Sequence, residues 1–238
     1  MIRCVFFDLD GTLIDHVSVE RAISYFGELA RFIGEGLTLD EDRSDYLING
    51  AVGAQFDPHP GRTNQQVFDA FYERELDSAI QRARYRELFK QFFEEVFPGL
   101  QNNERPVDFN RAAVMRCQEQ GLTVAIASQP IFNAAAIKAR LTWAGLEDLR
   151  LPLASSSETA FSVKPRLDYF LEIAGRARCA PQDCLMVGNE DLNDMSASQA
   201  GMKTFYVGNE AQSSHNNHWD GAGTLADFIA SLDSLIQP

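Results

Sequence analysis

Val5-Phe6-Phe7-Asp8-Leu9-Asp10-Gly11-Thr12-Leu13 decides the fold of this chain, because an apolar strand here ends in two carboxylates followed by Gly-Thr. In an extended chain, residues two apart point to the same side, so Asp8 and Asp10 converge at the carboxyl end of the strand. Open α/β sheets bind ligands at that end, and Gly11 lets the chain turn away sharply. Converging carboxylates repel each other unless a cation, a proton or a reaction uses them. The pattern therefore predicts a functional site, against the alternative of a solvated surface turn.

The composition narrows the class of protein. The chain has 238 residues, which leaves room for one large domain or a core with a smaller domain. A net charge of −13 argues against a nucleic-acid or anionic-membrane partner. No apolar run approaches the roughly 20 residues of a membrane helix, and the N-terminus does not resemble a signal peptide. Cys4, Cys117, Cys179 and Cys184 lack metal-like spacing and predict reduced thiols, so we expect a cytoplasmic protein. The sequence carries no signal for an oligomeric state.

Strand and helix patterns alternate in most of the chain. Residues 2–8 read as a buried strand, whereas the chain from Ser18 to Val96 carries only helical spacing of apolar residues. After Pro106, strands and helices alternate, which predicts an α/β fold with a parallel sheet and helices on both faces. The helical block between positions 16 and 105 is then an insertion after the first strand. Further strands are predicted at Leu122–Ala127, Leu151–Ala154, Cys184–Val187 and Thr204–Val207, and further helices include Arg166–Ala174 and Asp191–Ala200.

Polar residues follow the predicted strands. Ser128 and Gln129 come directly after a strand, where a hydroxyl and a backbone N–H can hold a phosphoryl oxygen or cap the next helix. Lys164 precedes Pro165, which favours an extended conformation for the lysine, and Pro165 suits the first turn of the following helix. A lysine at that loop can offset the charge of a transferring phosphoryl group, with a surface lysine as the alternative.

These segments resemble the four motifs of the haloacid dehalogenase-like (HAD) phosphohydrolase superfamily. The first motif surrounds Asp8, the second is Ser128, the third is Lys164-Pro165 and the fourth is Met186–Met195. Further stretches are similar to a branch whose fourth motif begins Gly-Asn; these are Ile126–Phe132, Trp143–Leu146, Met186–Asn189 and Gly201–Phe205. The resemblance implies a Rossmann-like core formed by residues 1–15 and 106–238, with a C1-type helical cap formed by residues 16–105.

The resemblance also implies site roles and a Mg²⁺ cofactor. Asp8 is the implied nucleophile, which forms an aspartyl-phosphate, and Asp10 is the implied general acid and base. Asn189 stands where the usual fourth motif has an aspartate, and an amide oxygen binds a hard cation without negative charge, so we expect weaker Mg²⁺ binding. The implied metal-site residues are Asp8, Asp10, Asn189, Glu190 and Asp194, the last through a metal-bound water. The implied phosphate-binding residues are Leu9, Asp10, Ser128, Gln129 and Lys164. For Asp191, Asn193 and Asp194, the alternative is a helix start whose acids complement the dipole.

The function expected from this resemblance is Mg²⁺-dependent hydrolysis of a small phosphorylated metabolite. A phosphate-binding or regulatory pseudo-enzyme with a weakened metal site is the main alternative, and a phosphomutase is another. Dehalogenases of the superfamily need no metal and lack the second aspartate, so Asp10 argues against them. A phosphonate hydrolase needs a cap lysine, and Lys90 is the only lysine between positions 16 and 105. His59 or Arg62 could recognise an anionic substrate group, although an exposed turn between helices is the other reading of that segment.

Overall fold

A five-stranded parallel sheet forms the centre of the computed structural model, which describes residues 1–15, 17–208 and 219–237. The strands are β1 (Cys4–Phe7), β2 (Ile14–Asp15), β3 (Arg105–Pro106), β4 (Thr123–Ile126), β5 (Cys184–Gly188), β6 (Lys203–Val207) and β7 (Gly221–Gly223). The strand order in the sheet is β4-β1-β5-β6-β7, and a separate antiparallel pair is formed by β2 and β3. Phe7 lies level with Ile126 of β4 and Val187 of β5, so the carboxyl ends of the three central strands meet at one edge.

The described residues form eight α-helices. They are α1 (Val19–Leu37), α2 (Glu41–Ala54), α3 (Asn64–Glu75), α4 (Ala79–Gln91), α5 (Asn110–Glu119), α6 (Ala134–Trp143), α7 (Leu167–Arg176) and α8 (Leu225–Leu235). Within the described ranges, no helix is both long and apolar enough to cross a membrane.

Alternate residues of β1 bury against opposite layers of helices. Phe7 belongs to a core shared with α5 and α8, and its ring packs edge-on against Phe228 with centroids 5.6 Å apart. Phe6 belongs to a second core with Tyr169 and Ile173 of α7. Both faces of the strand are therefore apolar, as expected for a parallel sheet that helices cover on both sides. The predicted α/β class and the Rossmann-like sheet are confirmed.

Helices α1 to α4 form an insertion between β2 and β3, called here the helical insertion. The chain leaves and re-enters the sheet domain at one place, because Ile14 pairs with Pro106 and Asp15 with Arg105. An aromatic contact ties the insertion to α6, with the Phe97 and Trp143 ring centroids 5.5 Å apart. The division into a core and a cap at residues 15 and 106 stays a prediction.

Four local predictions differ from the structure. The helix expected over Asp191–Ala200 is a 3₁₀ helix limited to Met195–Ala200, because the Asp194 side chain accepts from the Glu190 N–H and closes a tight turn instead. Pro165 precedes Arg166, the N-cap of α7, and so lies outside its first turn. The short strand expected at Leu151–Ala154 is an isolated bridge from Leu153 to Ile126. Strand β7 consists of Gly-Ala-Gly, which carries almost no strand propensity and was not predicted.

Glu104 joins the insertion to the chain segment that returns to the sheet. Its buried carboxylate accepts from the Tyr25 hydroxyl at 2.7 Å and the Asn102 N–H at 2.6 Å, and it pairs with the Arg21 guanidinium. Burial on its own would raise the pKa of Glu104, but these donors outweigh it and hold the pKa at about 2.

Glu104→Gln is expected to destabilise the protein at pH 7 by about 1–3 kcal/mol. Since the folded-state pKa of Glu104 lies below its ordinary value of 4.5, the carboxylate stabilises the fold above that pH. This contribution disappears as the pH falls from about 4.5 to about 2, where the variant and the wild type should converge. Denaturant unfolding across this pH range measures the effect. Glu28→Gln, which removes an exposed pair with Arg31, serves as the control, and an equal loss in both variants would contradict the assignment.

Candidate active site

The loops after β1, β4 and β5 bring the expected catalytic side chains together at the carboxyl edge of the sheet. Asp8 and Asp10 follow β1, Ser128 follows β4 and Asn189 follows β5. The Ser128 hydroxyl lies 3.5 Å from Oδ2 of Asp10. The Leu9 side chain is fully buried in the core, which limits any part it plays in a phosphate site to its backbone.

Lys164 lies at the bottom of this site between two carboxylates. Its ammonium donates to Asp8 Oδ1 at 2.9 Å and to Asp194 Oδ1 at 2.6 Å, and its side chain is 2% exposed. Burial would lower the pKa of Lys164, but Asp194 and Asp8 outweigh burial and raise it, so the group stays charged. Its backbone exchanges two hydrogen bonds with the Gln129 side-chain amide, at 3.0 and 3.2 Å. Gln129 therefore positions the lysine loop as well as lining the site.

Arg140 is a site residue that was not predicted from the sequence. This fully buried arginine on α6 forms an ion pair with Oδ2 of Asp10, and its guanidinium lies 4.3 Å from the centre of the Phe132 ring. Among the described residues, Oδ1 of Asp10 and Nη2 of Arg140 have no hydrogen-bond partner. Burial raises the pKa of Asp10, with Arg140 opposing and Asp8 reinforcing that shift. The available signal was the spacing of Arg140 from the apolar residues Ala136 and Ile137, which puts all three on one face of α6.

Thr12 is a second contact that the sequence did not reveal. Its hydroxyl lies 3.2 Å from Oδ2 of Asp8 and 3.0 Å from Oδ1 of Asn189, and so joins the loops after β1 and β5. Gly11 adopts φ +81°, and a Cβ there would lie 2.3 Å from Nδ2 of Asn189. Only glycine permits both this backbone conformation and this close approach.

Asp194 lies behind Lys164 and is almost fully buried. Its second carboxylate oxygen accepts from the Glu190 N–H at 3.0 Å. Glu190 itself reaches the pocket, where Asn193 donates to its carboxylate. The structure thus places Glu190 at the open side of the site and Asp194 on the lysine.

A pocket of about 330 Å³ opens above Asp8 and Asp10, and is called here the active-site pocket. Residues of the helical insertion and of the sheet domain both line it. Its apolar lining residues, called here the apolar wall, are Val17, Ala22, Phe56, Ile131, Phe132 and Pro165.

The residues considered for substrate recognition, His59 and Arg62, and the lysine considered for a Schiff base, Lys90, lie elsewhere. His59 is buried with its ring nitrogens 2.9 Å from the Arg62 carbonyl and 3.2 Å from the Gln55 carbonyl, and it lines a separate cleft. Lys90 lies in another cleft beside Glu94, at 3.9 Å. None of these three, Arg62 included, lines the active-site pocket.

The oxygen atoms of Asp8 and Asn189 are suited to bind a hard cation, although only one of these two side chains carries a negative charge. Asp8 Oδ2 and Asn189 Oδ1 converge on the Thr12 hydroxyl, which has one proton and satisfies one of them at a time. Carboxylate and amide oxygens are ligands that Mg²⁺ accepts, together with substrate phosphate. Across residues 1–15, 17–208 and 219–237, no group of three or more His, Cys, Asp and Glu is arranged to hold a metal ion. An amide at Asn189, where a carboxylate is usual, is consistent with a site that binds the metal ion weakly.

A family model of haloacid dehalogenase-like hydrolases matches residues 2–201, and the chain belongs to this family. The match spans β1, the helical insertion and the strands that carry the site. The family expected from the motifs is therefore confirmed.

A curated relative and two solved structures are similar to the chain over nearly its whole length. A glyceraldehyde 3-phosphate phosphatase from Methanothermobacter thermautotrophicus is 26% identical and aligns with 99% of this chain and all of the relative. A HAD phosphatase structure from Thermococcus onnurineus superposes with a TM-score of 0.58 at 18% identity, covering 97% of this chain and 98% of its own. An L-2-haloacid dehalogenase structure superposes with a TM-score of 0.56 at 19% identity, covering 98% of this chain and 99% of its own. Phosphatases and dehalogenases share the fold, so the side chains of the site decide the chemistry.

Proposed function

We propose that this chain is a Mg²⁺-dependent phosphomonoester hydrolase that acts on a small phosphorylated metabolite through an aspartyl-phosphate on Asp8. One observation carries the proposal: the Asp8 carboxylate is held by the Lys164 ammonium and the Thr12 hydroxyl at the bottom of a pocket that Asp10 also lines. A carboxylate oriented by a buried cation, with a second acid two residues away, is suited to nucleophilic attack on phosphorus.

In the first step, an Asp8 oxygen attacks phosphorus and the ester bond breaks as the leaving oxygen takes a proton from Asp10. Burial raises the pKa of the Asp10 carboxyl, with Arg140 opposing that shift, and a raised pKa favours a group that gives and then takes a proton. In the second step, Asp10 takes a proton from water as the water oxygen attacks phosphorus, the bond between phosphorus and Asp8 breaks, and inorganic phosphate leaves.

Lys164, the Ser128 hydroxyl and the backbone N–H groups of Leu9, Asp10 and Gln129 would hold the phosphoryl oxygens. Asp8 and Asn189, with Glu190 at the open side of the pocket, would hold Mg²⁺, which would supply positive charge beside the phosphate. Asp194 acts through Lys164, whose position it sets. We also propose that residues 16–105 act as the cap, since the insertion lines the pocket.

The phosphatase reading has support against the other chemistries of the family. The relative that aligns over the whole chain is named as a phosphatase of glyceraldehyde 3-phosphate, a small phosphomonoester. Asp10, which dehalogenases lack, lines the pocket beside Asp8. Lys90, the lysine considered for a Schiff base, lines a different cleft.

Hydrolysis of p-nitrophenyl phosphate by the purified protein, with Mg²⁺ and with EDTA, tests the proposal. Turnover that requires Mg²⁺ and is restored by re-addition is the expected result. A folded protein that binds phosphate without turning over any ester at saturating Mg²⁺ would instead support the pseudo-enzyme.

Asn189→Asp is expected to tighten Mg²⁺ binding by about tenfold, because a carboxylate adds charge to a donor set that Asn189 leaves weak. Direct Mg²⁺ titration by calorimetry and the Mg²⁺ dependence of turnover measure this change. Asn49→Asp, an equal change of charge on the exposed side of α2, is the control. Tighter binding in both variants would mean that overall charge, and not position 189, governs affinity.

A further inference from the structure

The active-site pocket is chemically divided. Its base carries the charged groups Asp8, Asp10 and Lys164, and Glu190 lies at its side. The rest of its lining is the apolar wall, in which Phe56 and Phe132 are the largest side chains, together with the neutral residues Ser18, Gln129 and Asn193. If a phosphate ester binds with its phosphate at the base, its organic part would therefore contact the apolar wall.

Phe132 is a rigid part of this wall. Its ring stacks on Phe26 with centroids 4.8 Å apart and an interplanar angle of 17°, and the Arg140 guanidinium lies over it. Phe132 is 2% exposed and Phe26 is also buried, so close packing restricts the movement of both rings. Phe56 follows α2 and is 45% exposed, so it forms the solvent-accessible side of the apolar wall.

Charge in the pocket disfavours a second anion. Among the described residues that line it, Lys164 carries the only positive charge, and that charge is taken by Asp8 and Asp194. Arg140 is fully buried and paired with Asp10. A substrate carboxylate or second phosphate would lie beside Glu190, the apolar wall or the neutral donors Ser18, Gln129 and Asn193, and none of these would neutralise its charge, which is costly.

We propose that the substrate is a phosphomonoester with a small, uncharged organic part, and that Phe56 and Phe132 set this specificity by excluding esters with a second anionic group. This inference rests on the proposed phosphatase function and narrows it to one class of substrate. A pocket of about 330 Å³ accommodates an ester of three carbons.

The test compares two esters that differ at one group: glycerol 3-phosphate, with a terminal hydroxymethyl, and 3-phosphoglycerate, with a carboxylate. With Mg²⁺ present, kcat/KM is expected to favour glycerol 3-phosphate by at least about 100-fold, because the described lining of the pocket offers the carboxylate no unpaired cation. Phe56→Arg supplies one at the accessible side of the wall, and should raise kcat/KM for 3-phosphoglycerate and reduce the preference at least about tenfold. Phe161→Arg is the matched control, since Phe161 is 48% exposed but lines a separate cleft.

p-Nitrophenyl phosphate serves as the reference substrate that separates a failure of the phosphatase function from a failure of the proposed specificity. If it is hydrolysed but the two three-carbon esters differ by less than about threefold, or neither is accepted, the specificity inference is overturned and the phosphatase stands. Equal effects of Phe56→Arg and Phe161→Arg would overturn the role of Phe56. Absence of turnover with all three esters would overturn the proposed function and the inference with it.

Discussion

Asp8→Asn is expected to lower the turnover of p-nitrophenyl phosphate by at least about 10⁴-fold, because an amide cannot form the aspartyl-phosphate. The fold should survive, since asparagine has the same shape and its carbonyl oxygen can still accept from the Lys164 ammonium or the Thr12 hydroxyl. Steady-state kinetics with saturating Mg²⁺ measures the loss, and thermal unfolding checks the fold. The nucleophile assignment also predicts that wild type, and not the variant, incorporates phosphate in an acid quench.

Asp45→Asn, on the exposed side of α2, makes the same chemical change away from the pocket and should leave turnover unaltered. If Asp8→Asn keeps a substantial share of wild-type kcat, another nucleophile or a directly attacking water performs the reaction. That outcome would remove the covalent step from the mechanism while leaving Lys164 and Asp10 available for phosphate binding and acid catalysis.

Lys164→Met is expected to damage both stability and catalysis. It leaves the carboxylates of Asp8 and Asp194 buried without their cation, which should cost about 3–5 kcal/mol of unfolding free energy. It also removes the positive charge next to the phosphoryl group, and kcat should fall by about 10²- to 10⁴-fold. Urea unfolding and p-nitrophenyl phosphate turnover measure the two effects, with the exposed Lys138→Met as control.

The double variant Lys164→Met/Asp194→Asn separates the two roles of the lysine. Removing one of the stranded carboxylates should restore part of the lost stability, because less uncompensated charge remains buried. Turnover should stay low, since no cation has been returned to the phosphate site. Recovery of activity along with stability would show that Lys164 only maintains the fold.

The positions of the main site residues follow from sequence because the parallel sheet determines where strand ends lie. Asp8, Ser128 and Asn189 each come directly after an apolar strand, and the level register of β4, β1 and β5 brings those ends together. The role of Arg140 was not predicted from the sequence, because an arginine within a helical pattern is most often solvated. Its pairing with Asp10 depends on how α6 packs beside the site loops.

Local chemistry also explains why some expectations were wrong or incomplete. The helix expected over Asp191–Ala200 does not form in its first part, because the Asp194 carboxylate accepts from both the Glu190 N–H and the Lys164 ammonium. Such contacts form between groups that are far apart in the chain or compete with helix geometry, and no periodicity reports them.

The family, the alternating α/β architecture, the helical insertion and the residues that end each central strand can be predicted from the sequence. These features depend on short-range patterns: strand and helix periodicity, Gly and Pro breaks, and carboxylates two apart in an extended chain. The folded structure was needed to find the ion pair of Arg140 with Asp10, the bridge of Thr12 between two loops, the place of Asp194 behind Lys164 and the apolar wall above them. Those features arise because packing sets which side chains meet and which charges lose water, and both quantities depend on the whole fold.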